Sequence, residues 1–346
     1  MKPIKPVEKP EKRQKIVDKH WPGVSKLGDG KFIFSQETSF ISNSELQIAF
    51  GFLDAVSKVI NLRDKLAKED LEKSQPFLPD GAWGLDYKNS IEVDGSIRNI
   101  HTSYNLLAEK DPNIIKKLRF YTEAFTGYQL ATLELAASRP WISKRLPNNW
   151  DDVLGMLAGP PPPEVYQNIS IANQLPSTLR LSPPKKFAEV GWLFSNQIIN
   201  HDLLGYQQII ALMYENGIID LLQERLSKSG VVKIIEIGGG YGALAYYLMK
   251  ILNFEVSYSL VDIPESLAFS SIYCGCLDMG IPVKMVREGS DFCINPDPSL
   301  TLIPNVFLDK LNKLDGPVDL CINTLSLAEM SPAQVEYYCN FISGSM

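Results

Sequence analysis

The sequence predicts an α/β protein in which a Rossmann-like, doubly wound parallel sheet follows a mostly α-helical N-terminal domain. Apolar residues recur at helical spacing in much of the chain before Gly230, and strand-like and helix-like segments alternate after it. The run at residues 231–237 is rich in β-branched side chains, which is typical of a parallel strand buried on both faces. This alternation predicts a parallel sheet with right-handed crossovers.

The composition excludes several classes of protein. The chain has 346 residues, which suggests two domains, and a formal net charge of −6, which argues against a nucleic-acid-binding protein. No apolar run is long enough to span a membrane, and residues 1–19 lack the apolar segment of a secretory signal. The 5 cysteines are expected to be reduced thiols, so we expect a cytoplasmic protein. With only 3 histidines, no metal site is expected.

Three segments follow from these patterns. Residues 1–30 form a basic tail, which we expect to be disordered because prolines and charged residues alternate near its start. Residues 31–230 form the helical domain, and residues 231–346 form the sheet domain.

The longest helix is predicted at residues 42–73. Ser42 and Glu45 have the spacing of a capping box, and Gln75-Pro76 ends the helix. Residues 114–138 have a second helical pattern. Residues 159–163, a glycine followed by four prolines, are predicted to be extended.

A later helix is predicted to end at Gly217 in the left-handed conformation, and the short helix at residues 218–227 is predicted to end at Gly230. Beyond them we predict four strands and three helices. The strands are residues 231–237, 254–261, 282–286 and 318–323, and the helices are residues 243–252, 264–279 and from 331 onward.

The most informative motif is Glu236-Ile237-Gly238-Gly239-Gly240-Tyr241-Gly242-Ala243, which links the first of these strands to a helix. Glycines allow a tight turn close to a ligand, and a helix N-terminus adds free N–H donors. Asp262 ends the next strand. Because ligands bind beyond the carboxyl ends of parallel strands, we expect Glu236 and Asp262 to face one crevice, with Asp262 accepting from ribose hydroxyls.

Two kinds of cofactor fit this motif. Gly238-x-Gly240-x-x-Ala243, with Asp262 about 20 residues on, satisfies the fingerprint for NAD(P). The same string has an acidic residue, Glu236, two positions before the first glycine. A carboxylate suits a ligand with an ammonium group better than a pyrophosphate, which favours S-adenosylmethionine.

Further strings resemble the bacterial sugar O-methyltransferase family, within the class I S-adenosylmethionine-dependent methyltransferases. The resemblance covers roughly residues 180–346. It rests on Lys-Phe-Ala-Glu-Val-Gly-Trp at residues 186–192, Asn200-His201-Asp202, Val-Asp-Ile-Pro-Glu at residues 261–265, Leu-Ile-Pro-Asn at residues 302–305 and Asn-Thr-Leu-Ser-Leu-Ala-Glu-Met at residues 323–330.

The resemblance implies a set of cofactor contacts and a helical domain that covers the acceptor. Gly238, Gly240 and Gly242 would contact the methionine part of the cofactor, and Asp262 would hold the ribose. Ile263 and Asp291 would lie at the adenine, and Asn323 would lie near the sulfonium.

A sugar hydroxyl is a poor nucleophile unless a base removes its proton, and His201 and Glu329 are the candidate bases. The acceptor is expected to be a small molecule or a glycan. An NAD(P)-dependent oxidoreductase and a catalytically inactive module with a methyltransferase fold stay open as alternatives.

The predicted sheet has fewer strands than the seven of a complete methyltransferase domain. We therefore expect it to be cut short after the fourth strand, with an apolar edge that is exposed or completed by another chain. A homo-oligomer is left open.

Overall fold

The computed structural model describes residues 31–35, 41–79, 100–116, 118, 163–184, 186, 187, 189–194, 197–287, 297–308 and 317–345. These residues form an α/β protein whose centre is a five-stranded, all-parallel, Rossmann-like sheet. No helix in these ranges is long and apolar enough to cross a membrane.

The described residues before 231 contain helices and a small antiparallel sheet. The helices are α1 (Asn43–Glu69), α2 (Leu71–Ser74), α3 (Ile100–Ala108), α4 (Pro112–Lys116), α5 (Pro163–Gln174), α6 (His201–Glu215) and α7 (Ile218–Ser229), with 3-10 turns at Gln75–Phe77 and Ser177–Leu179. The antiparallel sheet has the order β1 (Lys31–Ser35), β2 (Glu189–Phe194) and β3 (Gln197–Ile199). This sheet was not among the predicted elements.

The parallel sheet has five strands where the sequence predicted four. They are β4 (Val232–Ile237), β5 (Val256–Asp262), β6 (Val283–Met285), β7 (Ser299–Pro304) and β8 (Leu320–Ile322), in the spatial order β6-β7-β5-β4-β8. The helices between and after them are α8 (Ala243–Ile251), α9 (Pro264–Gly275) and α10 (Pro332–Ser345), with a 3-10 turn at Ser326–Glu329. The missed strand is β7, because prolines at 298 and 304 bound its apolar run.

Local signals place the helix ends that the sequence predicted. Ser42 caps α1, since its hydroxyl accepts from the Glu45 N–H at 3.3 Å while the Glu45 carboxylate accepts from the Ser42 N–H at 2.8 Å. Gly217 has a φ of +72°, which confirms its left-handed conformation, and Gly230, which ends α7 as predicted, has a φ of +77°. Helix α1 ends at Glu69, earlier than the predicted end at residue 73, and α2 follows it.

Two predictions concern segments that lie largely outside the described residues. Of the helix predicted at residues 114–138, only the end of α4 and Leu118 are described. Of the proline run at residues 159–163, only Pro163 is described, and it is helical rather than extended. It is the first residue of α5, where the missing N–H of proline costs no helical hydrogen bond.

The buried core is continuous from α1 to the parallel sheet. Ile234, Tyr258 and Leu260 on one face of the sheet belong to the same apolar cluster as α1, α8 and α9. Ile235, Ile237 and Val261 on the other face pack with residues of α10. Helices therefore cover both faces, and the core does not break at residue 230.

Helices α1 and α9 pack closely at Gly275. A Cβ at this position would lie 2.5 Å from Cε2 of Phe52, whose ring is buried in the core. The absence of a side chain at residue 275 therefore sets how closely the two helices pack.

We predict that Gly275→Ala lowers the free energy of unfolding by about 1–3 kcal/mol, because the Phe52 ring must move within a packed core. The matched control is Gly205→Ala in α6, where a Cβ would meet no atom within 4 Å. The control should be neutral or stabilising by up to about 1 kcal/mol, from helix propensity. Urea unfolding of both variants measures this, and equal effects would contradict the packing described.

Candidate functional site

The candidate site lies at the carboxyl end of β4, where the order of the sheet reverses. β4 lies between β5 and β8, so the chain leaves β4 toward one side and later returns on the other. In open α/β sheets this switch point is where ligands bind. The loop of residues 238–242 begins here, and the Gly238 N–H donates to the Val261 carbonyl at 2.8 Å.

The glycine loop is shaped by contacts with neighbouring strands. Gly238 has a φ of +74°, and a Cβ there would lie 2.0 Å from the Ser326 hydroxyl oxygen. At Gly239, a Cβ would lie 2.6 Å from Cγ of Leu260. Gly242 precedes the first residue of α8, so this helix begins at the site. Packing within the chain thus requires glycine at 238 and 239 even before a ligand is considered.

Asp262 ends β5 and holds the glycine loop in place. One carboxylate oxygen, Oδ2, accepts from the Gly240 N–H at 2.9 Å and from the Ser266 hydroxyl at 3.0 Å. The other, Oδ1, accepts from the Ile263 N–H at 2.7 Å. Asp262 is only partly buried. The three hydrogen bonds that its carboxylate accepts do not use all of its lone pairs. It can still receive a hydrogen bond from a ligand.

Glu236 lies beneath the loop rather than open to the crevice. It is on the same face of the sheet as Asp262, since Glu236 pairs with Leu260 in register, but its side chain is only 2% exposed. The Tyr258 hydroxyl donates to its Oε2 at 2.8 Å. A Cβ on Gly239 would lie 3.0 Å from that same oxygen. The carboxylate of Glu236 is therefore part of the floor of the loop.

Both carboxylates bind protons more tightly than usual. Burial raises the pKa of Glu236 to about 7, and the charge of Asp262 adds to this, while the bond from Tyr258 opposes it. Burial also raises the pKa of Asp262 to about 6, with a contribution from Glu265, against the three hydrogen bonds it accepts. In the part of the chain that the structure describes, no lysine or arginine forms an ion pair with either group.

The end of β8 closes the other side of the site. Asn323 donates from Nδ2 to the Ile237 carbonyl at 2.9 Å and to the Ser326 hydroxyl at 2.5 Å. Ser326 itself donates to the Ile237 carbonyl at 3.1 Å. Asn323 is thus beside the glycine loop. Sequence reasoning gave Ser326 no role, because its contact with Gly238 depends on β8 lying next to β4.

The structure locates the other predicted site residues less completely. Glu329 ends the 3-10 turn after β8 and is half-buried, and Ile263 is the partly buried residue that precedes α9. His201 is the first residue of α6, which Asn200 caps by accepting from the Leu203 N–H at 2.9 Å. The structure describes the backbone of His201 and not its side chain. Asp291 lies outside the described residues.

A buried ion pair that sequence reasoning missed lies next to Asp262. Arg63 of α1 donates from both terminal nitrogens to both oxygens of Glu265, at 2.9 Å each. The side chains of Arg63 and Glu265 are 1% and 0% exposed. Arg63 also donates to Asp64, which is half-exposed. The partners are 202 positions apart, so no local pattern indicated the pair.

Two cysteines, Cys274 and Cys276, and Asp319 have structural roles. Cys274 and Cys276 are buried, and burial raises the pKa of both thiols. Asp319 lies at the opposite end of the sheet, where it accepts from the Lys233 N–H at 2.9 Å and from Arg225 at 2.7 Å. Within the described ranges, no group of three histidine, cysteine or acidic side chains is arranged to hold a metal ion.

No family model matches the chain, and searches of the curated proteins and of the solved structures returned no match. The interpretation of the site therefore depends on its own geometry and charge.

We predict that Glu236→Gln becomes more stabilising as pH rises. The folded chain holds the Glu236 proton up to about pH 7, whereas the unfolded chain loses it near the ordinary value of 4.5, so ionisation favours unfolding. Between pH 5 and pH 8 the free energy of unfolding of the variant should gain about 2–3 kcal/mol relative to the unaltered chain. Urea unfolding at the two pH values measures the gain.

The control for this prediction is Glu224→Gln. Glu224 is exposed and pairs with Lys228, and this partner lowers the pKa of Glu224. The free energy of unfolding of Glu224→Gln should differ from that of the unaltered chain by the same amount at pH 5 and at pH 8. A pH-independent effect of Glu236→Gln would show that Glu236 does not titrate in this range.

Proposed function

We propose that the chain is an S-adenosylmethionine-dependent methyltransferase that transfers a methyl group to a hydroxyl oxygen. Support comes from a glycine loop at the switch point of a parallel sheet, a helix that begins there, and Asp262 at the end of the adjacent strand. The observation that carries the proposal is the charge around this loop.

The charge favours a cationic ligand over an anionic one. Glu236 and Asp262 raise the local density of negative charge, and no basic side chain in the described ranges pairs with them. A pyrophosphate placed over the loop would meet like charges in a partly desolvated site. S-adenosylmethionine has a sulfonium and an ammonium group and no phosphate, so its charges complement those of the site.

Each residue of the site has a proposed part in binding. The backbone of Gly238, Gly240 and Gly242 contacts the methionine part of the cofactor, Asp262 accepts from the ribose hydroxyls, and Ile263 packs beside the adenine. Asp291 is proposed at the adenine amino group from sequence alone. Asn323 lies at the same edge and is proposed to be near the sulfonium. Glu236 lies beneath the loop and contributes negative charge to the site.

The bound cofactor would supply an electrophilic methyl group. The acceptor oxygen forms a bond to this methyl carbon as the carbon–sulfur bond breaks, and a base takes the hydroxyl proton. His201 and Glu329 are the proposed bases. Positioning the two reactants in line supplies much of the rate acceleration. A sugar hydroxyl as the acceptor is a proposal from the sequence strings at residues 186–192, 200–202 and 323–330.

The second candidate function is NAD(P)-dependent oxidation or reduction. The spacing Gly238-x-Gly240-x-x-Ala243 and the N-terminus of α8 fit a dinucleotide as well. The two functions can be separated by pH, because a cationic and an anionic ligand change the pKa values of Glu236 and Asp262 in opposite directions.

We predict that S-adenosylmethionine binds about tenfold or more tightly at pH 7.5 than at pH 5.5. A cationic ligand lowers the pKa values of Glu236 and Asp262, so its binding releases protons and is favoured as pH rises. An anionic dinucleotide has the opposite dependence. Calorimetric titration with S-adenosylmethionine and with NAD⁺ separates the two, and binding of NAD⁺ alone would overturn the proposal.

A matched pair of variants tests the site. Asp262→Asn should weaken S-adenosylmethionine binding about 10–100-fold, because a charged acceptor is lost. Asp278→Asn, an exposed aspartate beyond α9, should leave binding unchanged. Catalysis is then tested by transfer of an isotopically labelled methyl group to a panel of sugars and glycans, with the Asp262→Asn chain as the negative control.

A further inference from the structure

The pair formed by Arg63 and Glu265 lies where it can act on Asp262. Glu265 is in the first turn of α9, three residues after Asp262, and its neighbour Ser266 donates to Asp262. The negative charge of Glu265 raises the pKa of Asp262. Arg63 contacts both oxygens of Glu265 in a buried position.

We propose that Arg63 is a positioning residue for the cofactor site. By neutralising Glu265 and fixing the first turn of α9, it preserves Asp262 as a charged acceptor for the ribose hydroxyls of the cofactor. This inference rests on the proposed function, since it assumes that Asp262 receives the ribose.

The charged and titratable groups near Asp262 come from several elements. Glu265 of α9 and Glu236 of β4 are the two carboxylates that interact with it. Tyr338 of α10 is buried, and the charge of Asp262 contributes to the raised pKa of its hydroxyl. The charge of Glu265 also contributes to the raised pKa of Tyr104 of α3, and Arg63 forms a buried ion pair with Glu265.

Geometry and charge therefore act together. If the guanidinium of Arg63 were absent, Glu265 would lose the positive charge and the two hydrogen bonds that it receives from Arg63, beside a second carboxylate. Two close carboxylates in a partly desolvated site favour protonation of one of them. Protonated Asp262 would lose the charge that makes it a strong acceptor for two hydroxyls.

The first test measures Asp262 without a ligand. The chain is labelled with ¹³C at aspartate carboxyl carbons, and the Asp262 resonance is assigned by its loss in Asp262→Asn. Glu265→Gln keeps an oxygen that can accept from Arg63, so it should fold, and it should lower the pKa of Asp262 by about 1 unit. Arg63→Gln should raise this pKa by about 1 unit.

The control for this test is Asp64→Asn. Asp64 accepts from the same guanidinium as Glu265 does, but from a half-exposed position. Its removal leaves the bonds between Arg63 and Glu265, so the pKa of Asp262 should stay unchanged. An unchanged pKa in Glu265→Gln, or an equal shift in Asp64→Asn, would overturn the proposal.

The second test measures binding of S-adenosylmethionine at two pH values. Arg63→Gln should bind about fivefold more weakly than the unaltered chain at pH 6 and equally well at pH 8.5, where Asp262 is ionised in both. Glu265→Gln should bind about twofold more tightly at pH 6. A loss in Arg63→Gln that is the same at both pH values would indicate general structural damage and would count against the proposal.

The outcomes separate this inference from the proposed function. If the unaltered chain binds no S-adenosylmethionine, the proposed function fails, while the titration of Asp262 still tests the action of Arg63. If the unaltered chain binds it and the variants share its pH dependence, the proposed function stands and the inference about Arg63 fails.

Discussion

The bonds between Arg63 and Glu265 hold α9 against α1, and the candidate site depends on where α9 begins. Taking both charges out of water costs several kcal/mol per ion, which only close, doubly hydrogen-bonded geometry offsets. The two contacts of 2.9 Å provide that geometry. Residues at the start of the same helix, Ile263 and Ser266, donate to Asp262, which in turn accepts from the glycine loop. A contact between residues 202 positions apart therefore lies in the same turn of α9 as Ser266, which donates to the aspartate that holds the loop.

The site keeps two carboxylates close together at a cost to stability. Glu236 is buried with Tyr258 as its hydrogen-bond donor, and Asp262 is held by three donors, yet burial keeps both pKa values raised. A cation over the loop would relieve this unfavourable charge, whereas an anion would add to it. The same feature that lowers the stability of the folded chain is therefore the basis of the proposed preference for positive ligands.

Local patterns predicted the elements whose signals lie within a few residues. The capping box of Ser42 and Glu45, the left-handed Gly217 and the helix end at Gly230 are examples, because a cap is decided by neighbours in the chain. β7 was missed because its prolines look like strand breakers. The antiparallel sheet was missed because β1 pairs with β2, more than 150 positions away, and short strands carry little periodic signal.

The sequence alone determined the strand, glycine loop and helix at residues 232–251, with Asp262 at the end of the adjacent strand, because β-branched runs and glycines act locally. Only the tertiary structure decided the surroundings of these groups. It placed Glu236 under the loop, put Ser326 against Gly238, and paired Arg63 with Glu265. The charge state of a carboxylate depends on burial and on neighbours brought from elsewhere in the chain, and no local pattern contains that information.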